Sequence, residues 1–388
     1  MEYILRVAVH EDAWRRQLGE LLELCARTPI REVMLMEESH QLLTSPFPRE
    51  KHERMAAVYA RMAEAFAAAG VALMLIISKI DYHFWRRFAW IVYVLAIGML
   101  AVLLALPPMV KGMDVKRWIV LGPINFQPSE VAKFAIILLF SSLIAGNSKQ
   151  MKSFKFIFFL VVLLGLTCGL VVLEPHFSAT ILIFTIGIVL LIVGGLPKRY
   201  IIGGGLLGVG GGVLAVATGI IGYGSDRIKY WLDPWADAKG KGFQTIQSLL
   251  AIGSGGILGR GIGQSRQKYL WLPEPHNDFI FAIVCEELGL IGAVIIIILF
   301  CLLVWRGFTI AMRAQDKFGS LLALGLTFQV GLQAMLNIWV VTNTIPNTGI
   351  SLPFFSYGGT ALLMLLAQMG VLLSISRQSS VKKRVESK

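Results

Sequence analysis

The sequence predicts an all-α bundle of membrane-spanning helices that carries one large polar loop on a single face. Three observations predict it. The 388 residues are 56% hydrophobic and only 15% charged, whereas soluble domains carry roughly 25% charged residues. From about residue 62 onward the chain is a string of apolar runs, each near the length of about 20 residues that crosses the hydrocarbon of a bilayer. Between two of these runs lies a polar island, residues 223–278, which is basic, glycine-rich in its middle and closed by Glu274-Pro275-His276-Asn277-Asp278.

Residues 1–61 differ from everything that follows. They are charged, with mixed sign, and show helical periodicity around Trp14–Cys25 and from Arg54 onward. No apolar stretch follows a basic start, so no signal peptide is read there. The candidate spans are 62–80, 87–106, 128–145, 154–173, 178–196, 200–222, 279–305, 319–343 and 358–376, about nine in all. The first is weakened by its Ala-rich start and Glu64. The chain thus divides into a polar segment 1–61, a transmembrane domain 62–376 and a basic tail 377–388.

Lys and Arg fix the expected orientation. They concentrate in Lys79 to Arg87, Lys149 to Lys155, Lys198-Arg199, Arg306 to Lys317 and the tail Arg377 to Lys388. These are alternate loops, so one face receives them all, and the positive-inside rule makes that face cytoplasmic. The other face then receives 107–128, 174–177, the long loop 223–278 and 342–357. If 62–80 spans, residues 1–61 lie outside without an export signal. Either that span is not real, or the segment is a fusion or a mis-joined start.

The formal charge of +12 sits mostly in those loops and the tail, where it reports topology. No basic-aromatic motif points to nucleic acid. Cys25, Cys168, Cys285 and Cys301 have no paired spacing, and neither disulfide nor zinc site is inferred. The absence of a Walker motif, HExxH and a nucleophile elbow argues against an ATP-driven pump, a zinc protease and an α/β-hydrolase.

The polar residues that remain form a candidate site on the outer face. Pro128 and Ser129 open a helix, with Ser129 as its expected cap. Glu130 and Lys133 follow at i, i+3 and face one side; they are either a helix-end ion pair or the lining of a polar cavity. Lys116, Arg117 and Trp118 lie just upstream. Glu174-Pro175-His176 fills a very short outer loop, where Glu174 is either an interfacial polar residue or part of the same cavity. Asp278 is the sharpest candidate. It stands at the mouth of a helix, where it is either the N-cap or, with Asn277 capping instead, a free carboxylate. Glu286 and Glu287 follow about 12–13 Å along at 1.5 Å per residue; adjacent carboxylates within a span require partners. The basic residues of the loop, Arg227, Arg266 and Lys268 among them, suit contact with an anionic substrate, and His276 lies beside Asp278. An irregular segment from Asn343 to Gly359, including Ser356, is of the kind tolerated at membrane depth where it lines a cavity.

Four stretches carry a family resemblance. KRWIVLGPINFQPSEVAKF, LEPHFSATI, the run from RIKYWLDPWADAKGKGFQTI through GQSRQKYLWLPEPHNDFIF to EELGLIGA, and NTGISLPFFSYGGTALL resemble the SEDS family (shape, elongation, division, sporulation). The likeness covers roughly residues 72–376 and is nearest to the FtsW/SpoVE branch. Residues 1–61 resemble nothing in that family, which usually has ten spans.

The resemblance implies a plasma-membrane peptidoglycan glycosyltransferase that polymerises lipid II outside the cell. Its implied partners are a class B penicillin-binding protein and division-complex proteins. It matches the family's essential aspartate to Asp278 and its helix-opening Glu and Lys to Glu130 and Lys133. Asp278 is then expected as general base. Arg227, Arg266, Lys268, Lys116, Arg117 and His276 are expected on the substrate, and Glu130, Lys133, Glu174, Glu286 and Ser356 around the cavity. No cofactor is specified, although a divalent cation could share the work on the diphosphate. The competing expectations are a lipid II flippase and an inactive or scaffolding remnant.

Overall fold

The computed structural model describes residues 3–9, 30–37, 42–44, 49–106, 117–121, 124–204, 222–238, 240, 242–267, 272 and 277–386. Two units divide the chain, Met1–Ala65 and Phe66–Lys388.

In the first unit, β1 (Tyr3–Val9) pairs in parallel with β2 (Ile30–Glu37), which pairs antiparallel with β3 (Leu42–Thr44). The sequence reading had not anticipated this sheet. Its signal is the β-branched and apolar content of YILRVAV and IREVMLME, in segments of strand length. The helical periodicity expected around Trp14–Cys25 lies outside the described residues. The helix expected from Arg54 is present as α1 (Arg49–Lys79).

The second unit is a helix bundle with one short hairpin. After α2 (His83–Ala105), β4 (Ile119–Leu121) and β5 (Ile124–Phe126) lead into α3 (Pro128–Gly146). Then come α4 (Phe154–Leu173), α5 (Phe177–Gly194), α6 (Gly222–Leu232) and α7 (Phe243–Gly255). The chain closes with α8 (Ile280–Arg313), α9 (Lys317–Val341) and α10 (Gly359–Glu386). Seven of the described helices are long and apolar enough to cross a membrane: α2, α3, α4, α5, α8, α9 and α10. Of the two other expected spans, 62–80 is helical within α1, and most of 200–222 lies outside the described residues.

Helices α3 and α9 form the centre. Their apolar windows are 72% and 67% buried, against 22% for α8, whose surface is left for lipid. This agrees with α3 being apolar around its whole circumference rather than along a stripe.

The loops assort at two ends, as the Lys/Arg pattern requires. At one end the Tyr82 hydroxyl donates to Asp316 (2.6 Å), Arg377 donates to the Lys79 carbonyl (2.8 Å), and Lys317 donates to the Gly194 carbonyl (3.1 Å). At the other end Ser178 donates to the Thr348 carbonyl and Arg227 to the Asn347 carbonyl (2.7 Å).

The long loop is more ordered than its polarity suggests. It contains α6, a 3-10 turn (Pro234–Asp237) and α7. The apolar positions of FQTIQSLLAIG recur at helical spacing, and Ser248 pins α7 to the end of α9 through the Val341 carbonyl at 2.8 Å.

The segment after α7 is spliced into α8. Helix α8 is broken at Gly289, whose φ of 65° and ψ of −166° suit glycine alone. The backbone groups freed by the break are taken up by the loop. Arg260 and Gly261 donate to the carbonyls of Glu286 and Glu287 (3.0 Å each), and Leu290 and Ile291 donate to those of Gly256 and Ile257 (2.9 and 3.2 Å).

Candidate active site

Asp278 lies just ahead of α8, and neither it nor Asn277 caps that helix; the N-cap is Phe279. Its position is set instead by α9 and by the irregular segment 342–358. Asn337, fully buried near the end of α9, donates through Nδ2 to the carbonyls of Asp278 (2.8 Å) and Ile350 (2.6 Å). Ser356 donates to the Asn277 carbonyl (2.6 Å) and accepts from the Leu352 amide (2.7 Å). Gly349 has φ of 67°, and a Cβ there would sit 3.1 Å from Asp278 Oδ2. The missing side chain leaves room over the carboxylate.

The Glu130–Lys133 pair is buried behind this segment. Its oxygen and nitrogen are 2.8 Å apart, with side chains 9% and 2% exposed. Lys133 also donates to Gln333 Oε1 (3.0 Å), and Gln333 donates to Ser351 through its carbonyl (3.1 Å) and hydroxyl (3.2 Å). A buried chain of polar contacts thus runs from the pair to the loop that frames Asp278. Ser129 is not the cap of α3, as the sequence reading expected. Pro128 occupies the first turn after Gln127, because its fixed φ starts the helix by itself. Ser129 falls inside, with Oγ 3.3 Å from His176 Nδ1.

Arg117 is bonded to the turn between α4 and α5, which also carries Glu174. Arg117 Nη2 donates to the Pro175 carbonyl (2.5 Å). Glu174 is 1% exposed, and neither carboxylate oxygen has a partner among the described residues. Burial pushes its carboxyl up to about 8. Burial, and then the charges of Arg117 and Lys133, hold His176 down at about 3. His176 therefore stays a neutral hydrogen-bonding group here. This turn reaches the Asp278 loop through the Ser178 contact with Thr348.

The sequence does not name the partners of Glu286; the structure places them on the returning loop. The buried Glu286 carboxylate accepts from Ser265 Oγ (2.5 Å) and from the amides of Arg266 (3.1 Å) and Gln267 (3.2 Å), with Arg260 Nε at 3.9 Å. Glu287 accepts from the Ser265 amide (3.3 Å). The pair of acids anchors the returning loop, because the amides of Ser265, Arg266 and Gln267 and the Ser265 hydroxyl converge on their carboxylates. The main chain of Arg266 is held at this anchor, about 9 Å along α8 from Ile280; its side chain is exposed. Arg227 adjoins the Asp278 loop through Asn347, which also donates to Gln244 (2.9 Å). Lys116, Lys268 and His276 lie outside the described residues.

The residues that the sequence reading missed are Gln333 and Asn337. Both stand inside an apolar span, where Gln329, Gln333 and Asn337 follow one another at intervals of four. A carboxamide stripe at helical spacing was the available signal.

These features define a polytopic, predominantly α-helical membrane protein with a carboxylate site at one end of its bundle. The chain belongs to the FtsW/RodA/SpoVE family of cell cycle proteins, whose model matches residues 43–381. It is 39% identical to the stage V sporulation protein E of Bacillus subtilis, over 83% of this chain and 87% of that protein. It is 36% identical to a probable peptidoglycan glycosyltransferase FtsW of Geobacter metallireducens, over 93% of this chain and 95% of the relative. Among solved structures, it resembles a chain from a peptidoglycan synthase complex that coordinates polymerization and crosslinking. That match has a TM-score of 0.67 and 27% identity, covering 83% of this chain and 90% of the other. The rod shape determining protein RodA of Thermus thermophilus matches with a TM-score of 0.61 and 25% identity, over 83% of this chain and 88% of that one.

Proposed function

We propose that this chain is a peptidoglycan glycosyltransferase that polymerises lipid II at the outer face of the plasma membrane, with Asp278 as general base. The observation that carries this reading is the mounting of Asp278. Its main chain is held by Asn337, and Gly349 leaves space beside its carboxylate.

The growing strand carries undecaprenyl diphosphate on its anomeric carbon. The 4-hydroxyl of the next lipid II attacks that carbon and passes its proton to the Asp278 carboxylate. The bond from the anomeric carbon to the diphosphate oxygen breaks, and the diphosphate leaves with the electron pair. One displacement inverts the anomeric centre. Fixed cations stabilise the charge that develops on the diphosphate. Arg227 and Arg117, each tied to a carbonyl of the outer loops, suit this role; Arg266 is a further candidate for this basic rim, and Lys268, Lys116 and His276 are assigned to the substrate from the sequence alone. Among the described residues no three acidic, His or Cys side chains gather as a metal-ligand group. A divalent cation sharing the work on the diphosphate would be held by carboxylates together with substrate oxygens, as hard cations on phosphates commonly are.

In this reading the ends joined by Tyr82, Asp316 and Arg377, and the basic tail, face the cytoplasm. The strands made would be cross-linked by a class B penicillin-binding protein within the division or sporulation machinery. Residues 1–61 differ in composition from the transmembrane domain, although the family match begins within them, at residue 43.

The test is reconstitution with lipid II in vesicles. A glycan ladder is expected from the wild type and none from Asp278→Asn, with membrane insertion unchanged. Wild-type polymer yield from Asp278→Asn would overturn the base assignment. Lipid II reaching the opposite leaflet without any ladder would identify a flippase instead.

A further inference from the structure

At the end of α8 farthest from Asp278, Arg306, Thr309, Ile310 and Arg313 follow the spacing i, i+3, i+4, i+7, so they share one helix face. On the neighbouring helix α10, Leu373, Ser376 and Arg377 repeat the i, i+3, i+4 pattern. The two faces border a groove of about 360 Å³. Its polar lining is three guanidiniums and the hydroxyls of Thr309, Ser376 and Ser379, with no carboxylate. Arg377 closes one side, where it holds the Lys79 carbonyl at 2.8 Å. Arg306 and Arg313 are exposed and make no ion pair among the described residues.

We propose that this groove binds the headgroup of an anionic phospholipid. Basic residues in a loop ordinarily report topology alone; a pocket that unites three arginines and three hydroxyls from two helices asks for an anion. Guanidiniums grip phosphate oxygens in pairs; Thr309 and Ser379 donate to the helix carbonyls of Trp305 and Ser376, and the Ser376 hydroxyl is the one that can donate to a remaining phosphate oxygen. The surroundings select a lipid over a free anion. Trp305 is 69% exposed, Met312 78% and Leu373 42%, so the groove lies against apolar surface that would receive acyl chains. Trp305 has the character of an interfacial anchor. Basic pockets between spanning helices are the usual form of such headgroup sites. The assignment to the inner leaflet rests on the orientation proposed above; binding itself does not.

The experiment uses the full chain in neutral detergent micelles, where neither leaflet nor turnover matters. Native mass spectrometry follows retained phosphatidylglycerol against phosphatidylcholine in the wild type, the Arg306→Gln/Arg313→Gln double variant and an Arg199→Gln control. One phosphatidylglycerol should be retained by the wild type and by the control, in preference to phosphatidylcholine. Its affinity should be about thirtyfold weaker in the double variant. On the wild type alone, retention should fall as salt is raised, which keeps the proposal testable if the double variant does not fold. Equal retention of the two lipids, unchanged retention in the double variant, or indifference to salt would overturn it. Displacement of phosphatidylglycerol by inorganic phosphate at equal concentration would overturn the lipid in favour of a free anion. Orientation is tested separately, by protease access to the tail in sealed vesicles.

Discussion

Gly259 and Gly289 meet main chain against main chain. A Cβ on Gly289 would lie 2.3 Å from the Gly259 nitrogen, and one on Gly259 would lie 2.2 Å from the Glu287 carbonyl oxygen. Both have positive φ, 80° at Gly259 and 65° at Gly289. Neither atom can be moved aside, because both belong to backbone. Gly289→Ala and Gly259→Ala should each cost at least about 2 kcal/mol. Gly253→Ala, where a Cβ meets nothing within 4 Å, should be neutral or slightly stabilising. Thermal unfolding in detergent checks the contrast, and equal midpoints for all three would contradict the splice.

Glu286→Gln keeps the shape of the loop anchor and removes its charge. The hydroxyl and two amides that point at the carboxylate would face a weaker acceptor, with a loss of about 1.5–3 kcal/mol. Residues 260–267 should then be cut faster by protease, with the rest of the bundle still protected. Wild-type cleavage rates would remove the anchoring role.

Asn337→Ala leaves the buried carbonyls of Asp278 and Ile350 without their shared donor. The cost of stranded acceptors is about 1–3 kcal/mol. The turnover number in glycan synthesis should fall, with apparent lipid II affinity retained, because the basic rim is untouched. A defect confined to affinity would speak against Asn337 as a positioning residue.

Glu174 gives the fold a pH dependence. Its folded pKa of about 8 lies above the ordinary carboxyl value of 4.5, so its contribution is full below 4.5 and is lost as pH rises through 8. His176 is lowered from 6.5 to about 3, so its contribution grows as pH rises from 3 to 6.5 and is then complete. The two oppose each other between 4.5 and 6.5. From 6.5 to 8 only Glu174 acts, and stability should fall by about 1.4 kcal/mol per pH unit. Glu174→Gln should flatten that limb. Unfolding midpoints of both proteins across this range decide it, and a wild type that is flat above 6.5 would refute the buried, unpartnered carboxyl.

The bundle was legible because a membrane imposes long apolar runs, and charge alternation sorted their connecting loops. Helices α3, α4 and α5 begin and end within two residues of the expected spans. Asp278, Glu130 and Lys133 stood out as polar residues at helix mouths. What sets the Asp278 position did not stand out. Asn337 and Gln333 act across 59 and 200 positions of sequence, on Asp278 and Lys133 respectively, and local spacing carries no trace of such partners. The break at Gly289 was equally hidden, since a glycine within an apolar run reads as packing until another backbone is found against it.

The break in α8 turns one long helix into two struts. The short one, 280–288, is bolted to the returning loop through Glu286, while the long one, 290–313, stays seated in the bundle. Asp278 heads the short strut and is also tethered by Asn337 to α9. The returning loop is bonded to Glu286 and Glu287 before the break and to Leu290 and Ile291 after it, so it clamps both struts, and the Asp278 end of the short one is held from the loop and from α9 at once.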